Sequence, residues 1–229
     1  MFIAHIVLNL LLQKRLMRKR YNYSKWDRAY AKKSGVPWTC AQLPIEALDN
    51  FLSLLPQHAK ILDFGCGTGR IAAYLENYSS TVIAVDCSEV ALAHATPLLR
   101  GRYSRSQSLE EFEGFDFDGV VLWGVLHHYP PSQWPIWIKQ ASRCVKADGV
   151  GLTGMFNSAD VKFKSNSSRI SATTGDLCWC TDLSTLSELI QQFFGTTNIS
   201  KNIQLKDGGA KGDVRTWIYC ISKSRVCDA

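Results

Sequence analysis

Asp63, Gly65, Gly67 and Gly69 stand two apart in the stretch ILDFGCGTGR, residues 61–70. An apolar run ending in alternating glycines marks a strand that turns tightly into a helix. Backbone N–H groups there approach a ligand, and a Cβ would obstruct it. Asp86 closes a second apolar run, STVIAVD, 21 residues after Gly65, where a carboxylate can accept both hydroxyls of a ribose. A plainer use of Asp86, as a cap for the helix that follows, competes with this, although Ser88 already offers a cap. A dinucleotide loop needs its third glycine where Arg70 stands, so the G-x-G-x-G spacing argues against a nicotinamide cofactor. His127 and His128 follow a third apolar run, FDGVVLWGV. Histidine is poised near neutral pH, so one of them, His128 by preference, is a candidate base, with a hydrogen-bonded structural role as the alternative. Cys178 and Cys180 form a C-x-C pair, tighter than a zinc knuckle and without a matching pair nearby, so no metal site is expected.

These residues need elements to hold them. Apolar residues at 45, 48, 52 and 55 mark one face of a first helix, with Pro44 in its first turn. Strand AKILDF, the glycine turn and a helix through IAAYLENY follow. Strand STVIAVD then leads to helix SEVALAHA, with Ser88 as its N-cap. A short strand is expected near 102–105, a strong one at FDGVVLWGV, and a helix whose stripe is Trp134, Ile138, Ala141 and Val145. GVGLTGMF is a strand entered through Asp148-Gly149. A polar stretch, 157–177, precedes a helix capped by Asp182, and DVRTWIYCIS alternates as an edge-type strand. Strands alternating with helices imply an α/β fold with a doubly wound parallel sheet, whose ligands bind beyond the carboxyl ends of the strands.

Length and charge bound the rest. A chain of 229 residues makes one large domain, or one domain with an appendage. The formal charge of +6 is not spread evenly. Residues 1–33 hold nine Lys or Arg against Asp27 alone, whereas the other 196 residues carry 17 basic and 19 acidic groups. The basic character therefore belongs to an N-terminal segment, taken as residues 1–40, and the body from 41 to 229 is near neutral. The apolar start, Phe2 to Leu12, is too short to span a bilayer, and its charge follows rather than precedes the run, unlike a signal peptide. Docking on the domain is the first expectation for residues 1–20, and peripheral contact with an anionic membrane the second. Eight scattered cysteines without a framework fit reduced thiols in a cytoplasmic protein.

The chain resembles the class I S-adenosylmethionine-dependent methyltransferases over residues 40–222. LDFGCGTGR matches the family's D-x-G-x-G-x-G motif, and VIAVDCSEVAL is similar to its second motif, with Asp86 as the ribose acid. FDGVVLWGVLHHY and ASRCVKADGVGLTGMFN resemble the segments around strands four and five. The resemblance implies a mostly parallel, seven-stranded Rossmann-like sheet with helices on both faces, and S-adenosylmethionine as cofactor. It implies cofactor contacts from Asp63, Gly65, Cys66, Gly67, Gly69, Asp86, Cys87 and Trp123, and methionine-end contacts from the aromatics Tyr30 and Trp38. The family's aspartate after strand three is missing from YSRSQSLEEF, so Gln107 or a neighbouring serine takes the adenine contact. Within the family, a [D/N]-P-P-[Y/F] motif, a Pro-Cys nucleophile pair and an acidic magnesium cluster are all absent, which favours a small-molecule acceptor methylated at O, N or S. The segment 157–180 is its expected lid. Alternatives are an RNA or protein methyltransferase tethered by the basic segment, and a non-catalytic module that binds the cofactor.

Overall fold

The computed structural model describes residues 23–32, 37–78, 81–100, 103–106, 108–164, 166–208 and 213–224. Expectations for residues 1–20 and for Gln107 lie outside these. The chain forms, in order, α1 (Tyr23–Tyr30), α2 (Ile45–Leu52), β1 (Lys60–Phe64), α3 (Arg70–Glu76), β2 (Thr81–Asp86), α4 (Glu89–Ala95) and β3 (Tyr103–Arg105). There follow β4 (Phe117–Trp123), α5 (Trp134–Cys144), β5 (Val145–Phe156), β6 (Ser168–Ile170), β7 (Leu177–Trp179), α6 (Leu183–Phe194), β8 (Thr196–Lys206) and β9 (Val214–Lys223). Seven strands make one sheet in the order β3-β2-β1-β4-β5-β9-β8, and β6 and β7 make a separate two-stranded ribbon. Strands β1 to β5 are parallel, whereas β9 runs antiparallel to both β5 and β8.

Period-two alternation sends each strand's side chains to two different layers. Leu62 and Phe64 join Leu122, Trp137, Ile138, Leu186 and Phe194 on the face covered by α5 and α6. Ile61 joins Leu48, Phe51, Leu75 and Val121 on the face covered by α2 and α3. Each such fully buried aliphatic or aromatic side chain contributes about 1.5–3 kcal/mol. The N-caps read from the sequence are made: Ser88 Oγ accepts from Ala91 N at 3.1 Å, and Asp182 Oδ1 from Thr185 N at 2.9 Å. The Asp182 carboxyl is held down to about 2, by hydrogen bonds from Ser184 and Thr185.

Two expectations need correction. Strand β9 is not an edge: Ile218, Tyr219, Cys220 and Ile221 are all buried, because β8 covers its outer side. The true edge, β8 (TTNISKNIQLK), is largely exposed and polar, and turns only Ile199, Ile203 and Leu205 to the core. Ile45 is 48% exposed, and α2 instead packs through Ala47, Leu48 and Phe51. Among the described residues no helix is long and apolar enough to cross a membrane.

Candidate functional site

Strand order reverses at β1 and β4, and a cleft of about 1500 Å³ opens beyond the carboxyl ends of β1, β2 and β4. The glycine loop forms its floor. Gly65 and Cys66 both donate to the Val85 carbonyl, at 2.7 and 2.9 Å, which ties the loop to the neighbouring strand. Gly67 N donates to Asp86 Oδ2 and Ser88 N to Asp86 Oδ1, each at 2.8 Å. Asp86 therefore clamps the loop and also turns the chain into α4. Gly65 and Gly67 hold φ of +78° and +55°, in the left-handed region that costs a side chain 1–2 kcal/mol or so. A Cβ on Gly65 would stand 2.5 Å from Val125 Cγ2, and one on Gly67 2.8 Å from Tyr30 Oη. A Cβ at either position would thus collide with the protein's own side chains, and both glycines also line the cleft.

Two buried acids set the charge of the floor. Asp63 is 2% exposed, and its Oδ2 has no hydrogen-bond partner among the described residues. Burial, and secondarily the nearby Asp86 carboxylate, push the Asp63 carboxyl up to about 7. Asp86 is also raised by burial, against contacts with Ser88, Gly67 and Cys87 that hold its charged form. The thiols of Cys66 and Cys87, half-buried beside these acids, are raised by burial as well.

Aromatic side chains build one wall. Trp26 and Tyr30 of α1 cluster with Trp38 over α4, and all three also line the cleft, so packing and lining are not alternatives here. Trp38 Nε1 donates to Tyr30 Oη at 3.0 Å, and Ser88 Oγ donates to Asp27 Oδ1 at 2.6 Å, docking α1 on α4. Arg70, noted in the sequence only as the residue where a dinucleotide loop would have glycine, donates through Nη1 to the carbonyls of Ala41 (2.6 Å) and Trp38 (3.2 Å). It thereby holds the segment that carries Trp38. Arg70→Met keeps the stem and loses both bonds; charged hydrogen bonds of this kind contribute about 1.5–3 kcal/mol each at most. We expect a lowered melting temperature and a lost contribution of Trp38 to ligand-induced fluorescence change, both readable on the purified variant.

The opposite wall comes from β4, the turn after it and the 157–180 segment. Trp123 stacks on Trp217 with ring centroids 5.3 Å apart, and both line the cleft. His127 and His128 sit on a 3-10 turn, Leu126–His128, rather than on a strand. The period-two alternation that would send only one into the cleft does not apply, and both line it. Burial holds both imidazoles neutral, with His128 lowered to about 4 and His127 well below its ordinary value. The 157–180 segment contains the β6–β7 ribbon, whose loop is strapped to α1 by Lys25–Asp176 and to the residues just after α1 by Lys32 Nζ donating to the Thr173 carbonyl. Lys162 and Arg169 of this segment line the cleft; Trp179 packs on the core instead. A buried ion pair that the sequence did not reveal, Asp160 with Arg215, joins the segment to β9.

Residues 61–149 match the family model described as a methyltransferase domain. Malonyl-[acyl-carrier protein] O-methyltransferase of Pectobacterium atrosepticum is 30% identical over 82 residues, 35% of this chain and 32% of that protein. The chain thus spans about a third of that relative's length. A methyltransferase structure from Anabaena variabilis superimposes with a TM-score of 0.74 at 15% identity, covering 90% of this chain and 96% of that one. A second, the 1,6-didemethyltoxoflavin-N1-methyltransferase of Burkholderia thailandensis, was solved with 1,6-didemethyltoxoflavin and S-adenosylhomocysteine bound. It gives 0.61 at 21% identity, over 79% and 77% of the two chains. At these identities the structural likeness speaks to the fold. Residues 61–149 thus match a methyltransferase domain by sequence, and most of the chain shares the fold of S-adenosylmethionine-dependent methyltransferases.

Proposed function

We propose that the chain transfers a methyl group from S-adenosylmethionine to a small-molecule acceptor. The observation that carries this reading is one continuous cleft of about 1500 Å³, running from the glycine loop and Asp86 to the 157–180 segment. Typical small-molecule pockets are about 300–1,000 Å³, so the cleft has room for a nucleoside cofactor and a second small molecule together. The Burkholderia enzyme, which holds two such molecules, supports the same reading.

In this proposal Asp86 receives the ribose. Asp86 lines the cleft, and its oxygens are already held in place by Gly67 N and Ser88 N. Asp63, with its unpartnered oxygen, takes a cationic group of the cofactor. Gly65, Cys66, Gly67 and Cys87 supply backbone to the floor, while Gly69, outside the cleft lining, lets the turn pack against Ala95 and Leu99, and Tyr30, Trp38 and Trp123 supply apolar walls. The cofactor, when bound, brings an already activated methyl group. The chain must orient the acceptor and exclude water, for which positioning contributes roughly 7–11 kcal/mol. His127 and His128 stand on the acceptor side, and the 157–180 segment is the lid. The division between residues 1–40 and 41–229, and an acceptor methylated at O, N or S, belong to the same proposal.

Calorimetric titration with S-adenosylhomocysteine, S-adenosylmethionine and NAD tests it. Binding of the first two without NAD is expected, weakened in Asp86→Ala by about 1–3 kcal/mol, the scale of lost hydrogen bonds to a charged group. Absence of binding by either adenosyl compound would overturn the reading.

A further inference from the structure

We infer that His127, His128 and Cys178 bind a thiophilic divalent cation, zinc by chemical preference, on the acceptor wall of the cleft. One ligand atom from each of the three lies within 4.8 Å of the other two. All three residues also line the cleft. Nothing in the sequence pairs them: Cys178 is 51 positions beyond His127, and only the β6–β7 ribbon, folding back over the turn at 126–128, brings the thiol to the imidazoles.

The histidines are poorly served as structural residues. Nδ1 of each is buried and has no hydrogen-bond partner among the described residues. Their surroundings are aromatic: Trp26 meets His128 edge-on at 4.7 Å, and Phe156 lies 4.6 Å from His127. Two unpartnered nitrogens in such a box cost free energy that a ligand bond would recover. The thiol of Cys178 would release its proton to solvent on binding. Cys180, the other member of the C-x-C pair, is occupied differently, its Sγ lying 3.3 and 3.5 Å from the carbonyls of Asn166 and Ser167.

Donor chemistry selects the ion. Two imidazoles and a thiolate, with no carboxylate in the trio, suit zinc and exclude magnesium or calcium. Tetrahedral zinc with bonds of about 2.0–2.3 Å needs ligand atoms roughly 3.3–3.7 Å apart, so the trio must draw in by about 1 Å. Three protein ligands leave a fourth position, open to the cleft, where an acceptor atom bearing a proton would bind. That last use rests on the function proposed above; the metal site itself does not.

The test uses the full chain, stripped with chelator and titrated with cobalt(II), with zinc then displacing the cobalt. One equivalent is expected, with a thiolate-to-metal charge-transfer band and the strong d–d absorption of a tetrahedral ion. Cys178→Ser should abolish the charge-transfer band and weaken binding at least about tenfold, since even loss of an outer-shell partner costs 10–100-fold. Cys180→Ser should change neither. Calorimetry with S-adenosylhomocysteine on each variant reports separately on folding and on the cofactor site. No saturable cobalt binding, a band that survives Cys178→Ser, or equal loss in Cys180→Ser overturns the inference. A chain that binds cobalt as described but no adenosyl compound keeps this inference and overturns the preceding one.

Discussion

Asp160→Ala is expected to lower stability by about 3–5 kcal/mol, the cost of leaving a buried charge without its partner. Asp160 is 1% exposed and Arg215 4%. Arg215 Nε donates to both Asp160 oxygens at 2.9 and 3.0 Å, and Asp160 also accepts from Thr216 N at 2.7 Å and Lys162 N at 3.0 Å. After the substitution the guanidinium would retain the Phe156 ring, 4.1 Å from Cζ, and Asp207 at 3.7 Å. Neither replaces a carboxylate whose two oxygens share the Nε–H in a dry site. For a chain of this length the loss corresponds to roughly 10 °C in melting temperature. The double substitution Asp160→Leu with Arg215→Met removes both charges and should recover most of the stability, since buried pairs are often no better than apolar packing. Urea unfolding of the three proteins decides the matter. A loss below about 1 kcal/mol in the single variant would show that water reaches the pair. Because this pair anchors the 157–180 segment to β9, the single variant should also bind acceptor more weakly than S-adenosylhomocysteine binding alone would predict.

Cofactor affinity is expected to fall steeply on the acid side of neutrality. Burial and the Asp86 carboxylate raise the Asp63 carboxyl from 3.8 to about 7 in the ligand-free protein. A cationic ligand group binds the carboxylate and not the carboxylic acid. Below pH 7 the ligand must displace a proton, so affinity drops by up to about tenfold per pH unit, and above pH 8 it levels off. The stability of the free protein has the opposite sign. The contribution of protonated Asp63 is complete below about pH 4 and is lost as pH rises through about 7. Ligand-induced thermal stabilisation should therefore grow between pH 6 and pH 8. Asp63→Asn should bind S-adenosylhomocysteine weakly, by about 1.5–3 kcal/mol, with the pH dependence removed. If the wild-type affinity is flat from pH 6 to pH 8, Asp63 does not carry a cation in the complex.

What the sequence determined by itself follows from local physics. The parallel strands, their helices and both N-caps are legible because apolar period and capping chemistry act within a few residues. ILDFGCGTGR and Asp86 are legible for the same reason: a left-handed turn demands glycine at the positions where it occurs, and Asp86 lies at the end of a buried strand. The edge strand β8 escaped because its inward face carries only Ile199, Ile203 and Leu205, interrupted by Lys201, among mostly exposed polar residues. The partners of the cleft residues were decided only by the tertiary structure. Tyr30 sits against Gly67, Arg70 reaches the carbonyls before α2, and Asp160 meets Arg215 across 55 residues. His127, His128 and Cys178 are brought together in the same way. Such contacts depend on where loops of different elements end above one sheet, and charge or imidazole chemistry leaves no periodic trace along the chain that would announce them.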